Sequence, residues 1–221
     1  MSKSSVKLYD STLRDGAQTK GVNFSLDDKF KIYKLLSDIG VDYIEGGWPG
    51  ANPTDDNFFK KVSHQSKSKL VAFGMMRKSG KSANNDPGLN AVLNSGVSSV
   101  CLVGKTWDFH VKNALKVSYS ENLDMISDSI SHASKKVDEV MFDAEHFFDG
   151  FKNNKKYSID TLKRALESGA KWIILCDTNG GTLPYELPEI INEVKKTIPK
   201  EKLGVHFHND TDNATYNSLE A

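Results

Sequence analysis

Short runs of β-branched and other apolar residues alternate with helix-period segments along the whole chain. Seven of these runs read as strands: Val6–Ser11, Asp42–Gly46, Leu70–Gly74, Ser99–Val103, Glu139–Ala144, Trp172–Cys176 and Gly204–His208. Most are nearly continuous in apolar character rather than alternating, as expected of strands covered on both faces. The intervening segments carry helix signals. Ser25 followed by Leu-Asp-Asp predicts an N-cap with acids in the first turn, and Ser158-Ile-Asp-Thr predicts the opening of another helix that ends at Ser168-Gly169. Residues 38–45, 93–100 and 167–174 share one shape, a helix stopped by glycine and then a strand, which marks a repeating βα unit.

Repeated βα units admit an open doubly wound sheet or a closed (β/α)8 TIM barrel. A nucleotide-binding open sheet calls for a glycine fingerprint after its first strand, and the chain has no G-x-G-x-x-G. Polar residues instead follow every strand: Arg14-Asp15, Trp48-Pro49, Arg77, Lys105, Glu145-His146, Thr178-Asn179 and His208-Asn209-Asp210. A polar ring at the carboxyl ends of the strands is where a barrel builds its active site, so the α/β TIM barrel is the expected fold. The strand starts span 198 residues (6 to 204) in six intervals, a mean of 33, which places an eighth strand near 237, beyond Ala221. About seven βα units are therefore expected in this chain, with the eighth missing.

Composition narrows the function. The chain has 221 residues, 38% hydrophobic and 26% charged, ordinary for a globular domain and against disorder. Lys+Arg and Asp+Glu are 29 each, so no global charge favours nucleic acid or an anionic membrane, and neither partner is expected. The longest strongly apolar stretch, Trp172–Cys176, is far short of the roughly 20 residues a bilayer span needs. The amino terminus shows no apolar leader segment, so a cytoplasmic protein is expected. Cys101 and Cys176 lie in apolar runs and read as reduced core thiols. Only Arg14, Arg77 and Arg164 are arginines, which draws attention to each.

The sharpest chemical signal is His206-Phe207-His208-Asn209-Asp210. Residues i and i+2 of a strand share a face, so the two imidazoles project together. They read as half of a metal site or as two satisfied core histidines; their place before Asn-Asp at the mouth favours the metal. Asp15 is the natural carboxylate partner, since strands one and seven of a barrel flank strand eight, and it would complete a two-His-one-acid set. Arg14 offers a fixed cation suited to a carboxylate or a developing oxyanion, or else forms a surface pair with Asp15. Glu145, at the end of strand five, reads as a general acid/base or as an orienter of a metal ligand. Asp143 reads as a barrel-interior structural acid. Thr178, in Asp-Thr-Asn-Gly-Gly, suits a substrate carboxylate, though an Asx turn explains the motif almost as well.

Leu8-Tyr-Asp-Ser-Thr-Leu-Arg-Asp-Gly-Ala-Gln18 resembles the D-x-T-L-R-D-G-x-Q signature of metal-dependent barrel enzymes that include 2-isopropylmalate, homocitrate and citramalate synthases and HMG-CoA lyase. His206-x-His208-Asn209-Asp210 resembles their second signature. Residues 43–53 (YIEGGWPGANP) and 142–150 (FDAEHFFDG) resemble most closely the citramalate synthase branch. The resemblance implies a Claisen-type condensation of acetyl-CoA with a 2-oxo acid, pyruvate above all, within branched-chain amino-acid (isoleucine or leucine) biosynthesis. It implies Asp15, His206 and His208 as ligands of a divalent metal (Mg, Mn or Zn). Arg14 would stabilise the oxygen that becomes negative, Thr178 would bind the substrate carboxylate, and Glu145 would serve as acid/base or metal orienter.

It further implies a homo-oligomer, expected to be a dimer. On this reading residues 1–221 are an incomplete barrel domain. A further asparagine ligand after strand eight, the helical subdomain and the carboxy-terminal regulatory domain would lie beyond Ala221, so the chain alone is expected to be nearly inactive. Three other functions compete: a 2-isopropylmalate synthase acting on 2-oxoisovalerate, an HMG-CoA-lyase-like enzyme, and a truncated, inactive barrel. Met75 and Met76, with Phe73, are expected to crowd the substrate pocket toward a methyl-bearing acid.

Overall fold

A computed structural model describes residues 6–62 and 66–221. Residues 1–5, on which the leader reading rests in part, lie outside them. All seven expected strands form: β1 (Tyr9–Asp10), β2 (Tyr43–Gly47), β3 (Lys69–Met75), β4 (Ser99–Lys105), β5 (Glu139–Glu145), β6 (Trp172–Asp177) and β7 (Leu203–Phe207). They pair in parallel and in chain order from β1 to β7. The helices are α1 (Leu26–Ile39), α2 (Pro53–Lys61), α3 (Pro87–Leu93), α4 (Asp108–His110), α5 (Tyr119–Ala133), α6 (Phe147–Glu167), α7 (Leu187–Val194) and α8 (Ala214–Glu220). This is a partial (β/α)8 barrel. No ladder joins β1 to β7 among the described residues, but Asp15, beyond the end of β1, meets His206 and His208 at the end of β7, so the sheet is curled.

Both faces of the sheet are buried, which explains the continuous apolar strands. Outward residues such as Leu70, Ala72, Val100, Leu102, Val140 and Phe142 pack under the helices, and their alternates Val71, Phe73, Cys101, Val103 and Met141 fill the barrel interior. That parity carries Lys105, Asp143, Glu145, Cys176 and His206 to the inner face. Gly74 allows the sheet to meet its helix closely, since a Cβ there would lie 2.4 Å from Val92 Cγ2.

The local signals hold with two differences. Ser25 caps α1 in a capping box, accepting from the Asp28 N–H while the Asp28 carboxylate accepts from the Ser25 N–H. Ser158 does not open a helix. α6 begins at Phe147 and breaks at Asn154 (φ −145°, ψ 74°), whose Oδ1 accepts from the Tyr157 N–H and caps the second half. The Ser158 hydroxyl donates instead to the Thr106 carbonyl, so an inward polar contact imitates a cap in the sequence. β1 is shorter than expected because the Ser11 carbonyl accepts the N–H groups of Arg14, Asp15 and Gly16, turning the chain at once into the mouth. Among the described residues no helix is long and apolar enough to cross a membrane. Cys101 and Cys176 are both free and buried.

Candidate active site

The tight turn after β1 aims Arg14 and Asp15 across the mouth. Asp15 Oδ2 lies 3.4 Å from His206 Nε2 and 3.2 Å from His208 Nε2. The two imidazoles share a face, with ring centroids 5.0 Å apart. Donor atoms of the three residues all lie within 4.8 Å of one another, a spacing that an ion with bonds of about 2.0–2.3 Å can bridge. Two neutral imidazoles and a carboxylate suit Zn or Mn, and the acid also suits Mg. The residues present therefore fit a divalent metal. Hydrogen bonds from His206 and then His208 hold the Asp15 carboxyl well below the usual carboxylate range. Burial pulls His206 down, but the Asp15, Asp143 and Glu45 carboxylates together outweigh it and raise the imidazole.

Arg14 is fixed from three sides. Its Nε donates to Glu45 Oε2 at 2.7 Å, its Nη1 to Asp15 Oδ1 at 3.2 Å, and its Cζ sits 4.0 Å over the Phe73 ring. Glu45 is fully buried and also accepts from the Tyr9 hydroxyl at 2.7 Å. Burial raises the Glu45 carboxyl, with Arg14 opposing it. Burial likewise works against Arg14, but Glu45 and Asp15 more than offset it and raise the guanidinium. Phe73 in turn meets Trp48 edge-on, centroids 5.5 Å apart.

Trp48 is held through its backbone. Asp55 Oδ2 accepts the Trp48 N–H at 2.8 Å while Asp55 pairs with the buried Lys29. Gly47 (φ +142°) leaves room for that carboxylate, because a Cβ would lie 2.5 Å from Asp55 Cγ.

The other expected residues occupy neighbouring strand ends. Glu145 is half-buried and ion-paired with Lys105. Thr178 Oγ1 accepts the His146 N–H at 2.9 Å, tying the β5 and β6 mouths together while its own proton stays available to a ligand oxygen. His146 adopts φ +55°, and its Nδ1 lies 3.4 Å from Asp149 Oδ2. Asp143 is buried in the interior, as expected. Arg77 pairs with Glu121 and Asp128 of α5 at 3.0 and 2.8 Å and holds that helix, while it also lines a cavity with Met75 and Met76.

A cavity of about 650 Å³ opens beside Asp15 and His208, lined by Tyr9, Ser11, Thr12, Gly16 and Gln18. A second, of about 560 Å³, lies between Trp48, Met75, Met76, Val103 and Lys105. Sequence reading gave Glu45 no role and placed Lys105 in the polar ring without a partner or a function. Their signal was a charged residue at an inward position of a buried strand, visible once parity was assigned.

A family model described as HMGL-like matches residues 5–221. The chain belongs to the HMGL-like family. Over 218 residues it is 48% identical to the (R)-citramalate synthase of Aquifex aeolicus, covering 98% of this chain and 41% of that protein. To the 2-isopropylmalate synthase of Sulfurisphaera tokodaii identity falls to 30%, over 97% of this chain and 53% of the relative. The HMG-CoA lyase of Bacillus subtilis shares the fold, with TM-score 0.82 at 20% identity over 98% of this chain and 73% of the lyase. The chain thus spans about two fifths of the length of the citramalate synthase it matches.

Proposed function

We infer that the protein carrying this chain is a metal-dependent acyltransferase that condenses acetyl-CoA with pyruvate to give citramalate and free CoA. The carrying observation is the gap in identity, 48% to a citramalate synthase against 30% to a 2-isopropylmalate synthase over nearly the same residues. The convergence of Asp15, His206 and His208 supports a divalent ion at the mouth. When bound, a divalent ion (Mg, Mn or Zn) supplies Lewis-acid polarisation of the 2-oxo acid's ketone.

The chain's own groups supply the rest. Arg14 presents a fixed guanidinium to the ketone oxygen as it becomes negative. The Thr178 hydroxyl donates to the substrate carboxylate. Glu145 handles a proton at the mouth, and we assign it the acid/base role. In balance, the acetyl methyl loses a proton, its carbon bonds to the pyruvate carbonyl carbon, the new alkoxide is protonated, and water cleaves the thioester to release CoA as thiol. Trp48 and Phe73 wall the mouth behind Arg14 and keep water from its guanidinium.

On this reading the product belongs to isoleucine biosynthesis in the cytoplasm, and a homodimer completes the enzyme. The test is CoA-thiol release by the full-length enzyme with pyruvate against 2-oxoisovalerate. Pyruvate is expected to be preferred; preference for the branched acid transfers the assignment to 2-isopropylmalate synthase. Cleavage of HMG-CoA would transfer it to the lyases.

A further inference from the structure

We propose that Lys105 is a positioning residue for this reaction, its ammonium group holding the Glu145 carboxylate at the reacting centre. The proposal rests on the acid/base reading of Glu145. Lys105 and Glu145 are register partners at the last rung of the β4–β5 ladder, and both side chains continue the inward parity of Val103 and Asp143. They form an ion pair in which the lysine side chain is 17% exposed and the glutamate 24%. A pair so placed resists solvent screening better than an exposed one.

The frame around the pair is rigid. The Thr106 N–H and hydroxyl both donate to the Glu145 carbonyl, at 3.3 and 2.7 Å. Asn122 is buried, and its Nδ2 reaches the Lys105 carbonyl at 2.9 Å and the Tyr157 hydroxyl at 2.8 Å. The Lys105 backbone is thereby tied to α5 and α6, and the Glu145 backbone to Thr106. Within the described residues Glu145 is the only carboxylate paired with Lys105. The cavity that Lys105 lines mixes apolar wall from Met75, Met76 and Leu115 with polar Arg77, Lys78, Asp86 and Asn122. A largely buried lysine whose one carboxylate partner is its own register neighbour points that carboxylate in one direction. Sub-ångström placement matters here, since a misplacement of about 1 Å costs on the order of a hundredfold in rate.

The experiment compares steady-state kinetics of the full-length enzyme and its variants with pyruvate. Lys105→Met is expected to lower kcat by about a hundredfold and to change the KM for pyruvate by less than about threefold. Lys105→Arg is expected to recover most of kcat, and added ethylammonium to restore part of it to Lys105→Ala. Glu145→Gln is expected to be equally slow, not rescued by the amine, and no slower when combined with Lys105→Met. If Lys105→Met does not fold, Lys105→Gln, polar and uncharged, replaces it in the same comparison.

A rise in KM with kcat intact would place Lys105 on the substrate and overturn the proposal. So would kcat within threefold of the parent while Glu145→Gln is inactive. If Glu145→Gln itself keeps full activity, the acid/base reading of Glu145 fails instead.

Discussion

Replacing Phe73 by leucine removes the aromatic face beneath Arg14 while keeping an apolar side chain in the barrel. Arg14 Cζ lies 4.0 Å from the ring centroid and its side chain is only 11% exposed, so the contact is largely desolvated. A desolvated cation–π contact is worth about 2 kcal/mol. The edge-on contact with Trp48 adds about 0.5–1.5 kcal/mol. A loss of about 2.5–3.5 kcal/mol follows, or about 5–14 °C in Tm at the roughly 2–4 °C per kcal/mol of a domain this size.

Urea unfolding with an unchanged m-value measures it. A double-mutant cycle with Arg14→Met isolates the cation part, with an expected coupling of about 1–2 kcal/mol. The full-length Phe73→Leu enzyme should lose kcat as the guanidinium drifts. Coupling below about 0.5 kcal/mol, the scatter of independent sites, would show that Phe73 does not hold Arg14.

Gly47→Ala is expected to cost about 2–4 kcal/mol, combining left-handed strain with overpacking against Asp55; an unfolding midpoint equal to the parent's would refute the close approach. Burial pushes the Cys101 and Cys176 thiols well up, so iodoacetamide at pH 8 should leave both unmodified until urea unfolds the chain. The same shift sets a pH dependence. Unfolded thiols ionise near about pH 8.5 while the folded ones stay protonated, so this stability is complete below that pH and declines above it. Tm should fall between pH 8 and 10, and by less in a Cys101→Ala, Cys176→Ala variant.

The strand pattern was legible because burial on both faces leaves little room for polar residues, and all seven runs appear within one to a few residues of their expected ends. The ends moved where polar mouth residues continue the ladder, as at Lys105, Glu145 and Asp177. His206 and His208 were legible because period two is fixed by the pleat, and Asp15 because barrel order brings the first and seventh units together. Ser158 misled because a hydroxyl before an acid looks the same whether it caps a helix or reaches inward to Thr106. Glu45 and Lys105 gained meaning only with their partners Arg14 and Glu145, 31 and 40 positions away in the chain. Local patterns do not carry such pairings. Arg77 follows β3 as its place in the sequence suggests, but its charge is taken up by the nearby acids of α5.

The central claim is that Asp15, His206 and His208 bind one divalent metal. Crystals of the full-length enzyme soaked with Mn²⁺, with data collected at the manganese edge, test it most directly. One anomalous peak is expected about 2.0–2.3 Å from Asp15 Oδ2 and the Nε2 atoms of His206 and His208. It should disappear in Asp15→Asn combined with His208→Ala. A peak elsewhere, or one that persists in that double variant, would contradict the assignment of this mouth as the metal centre.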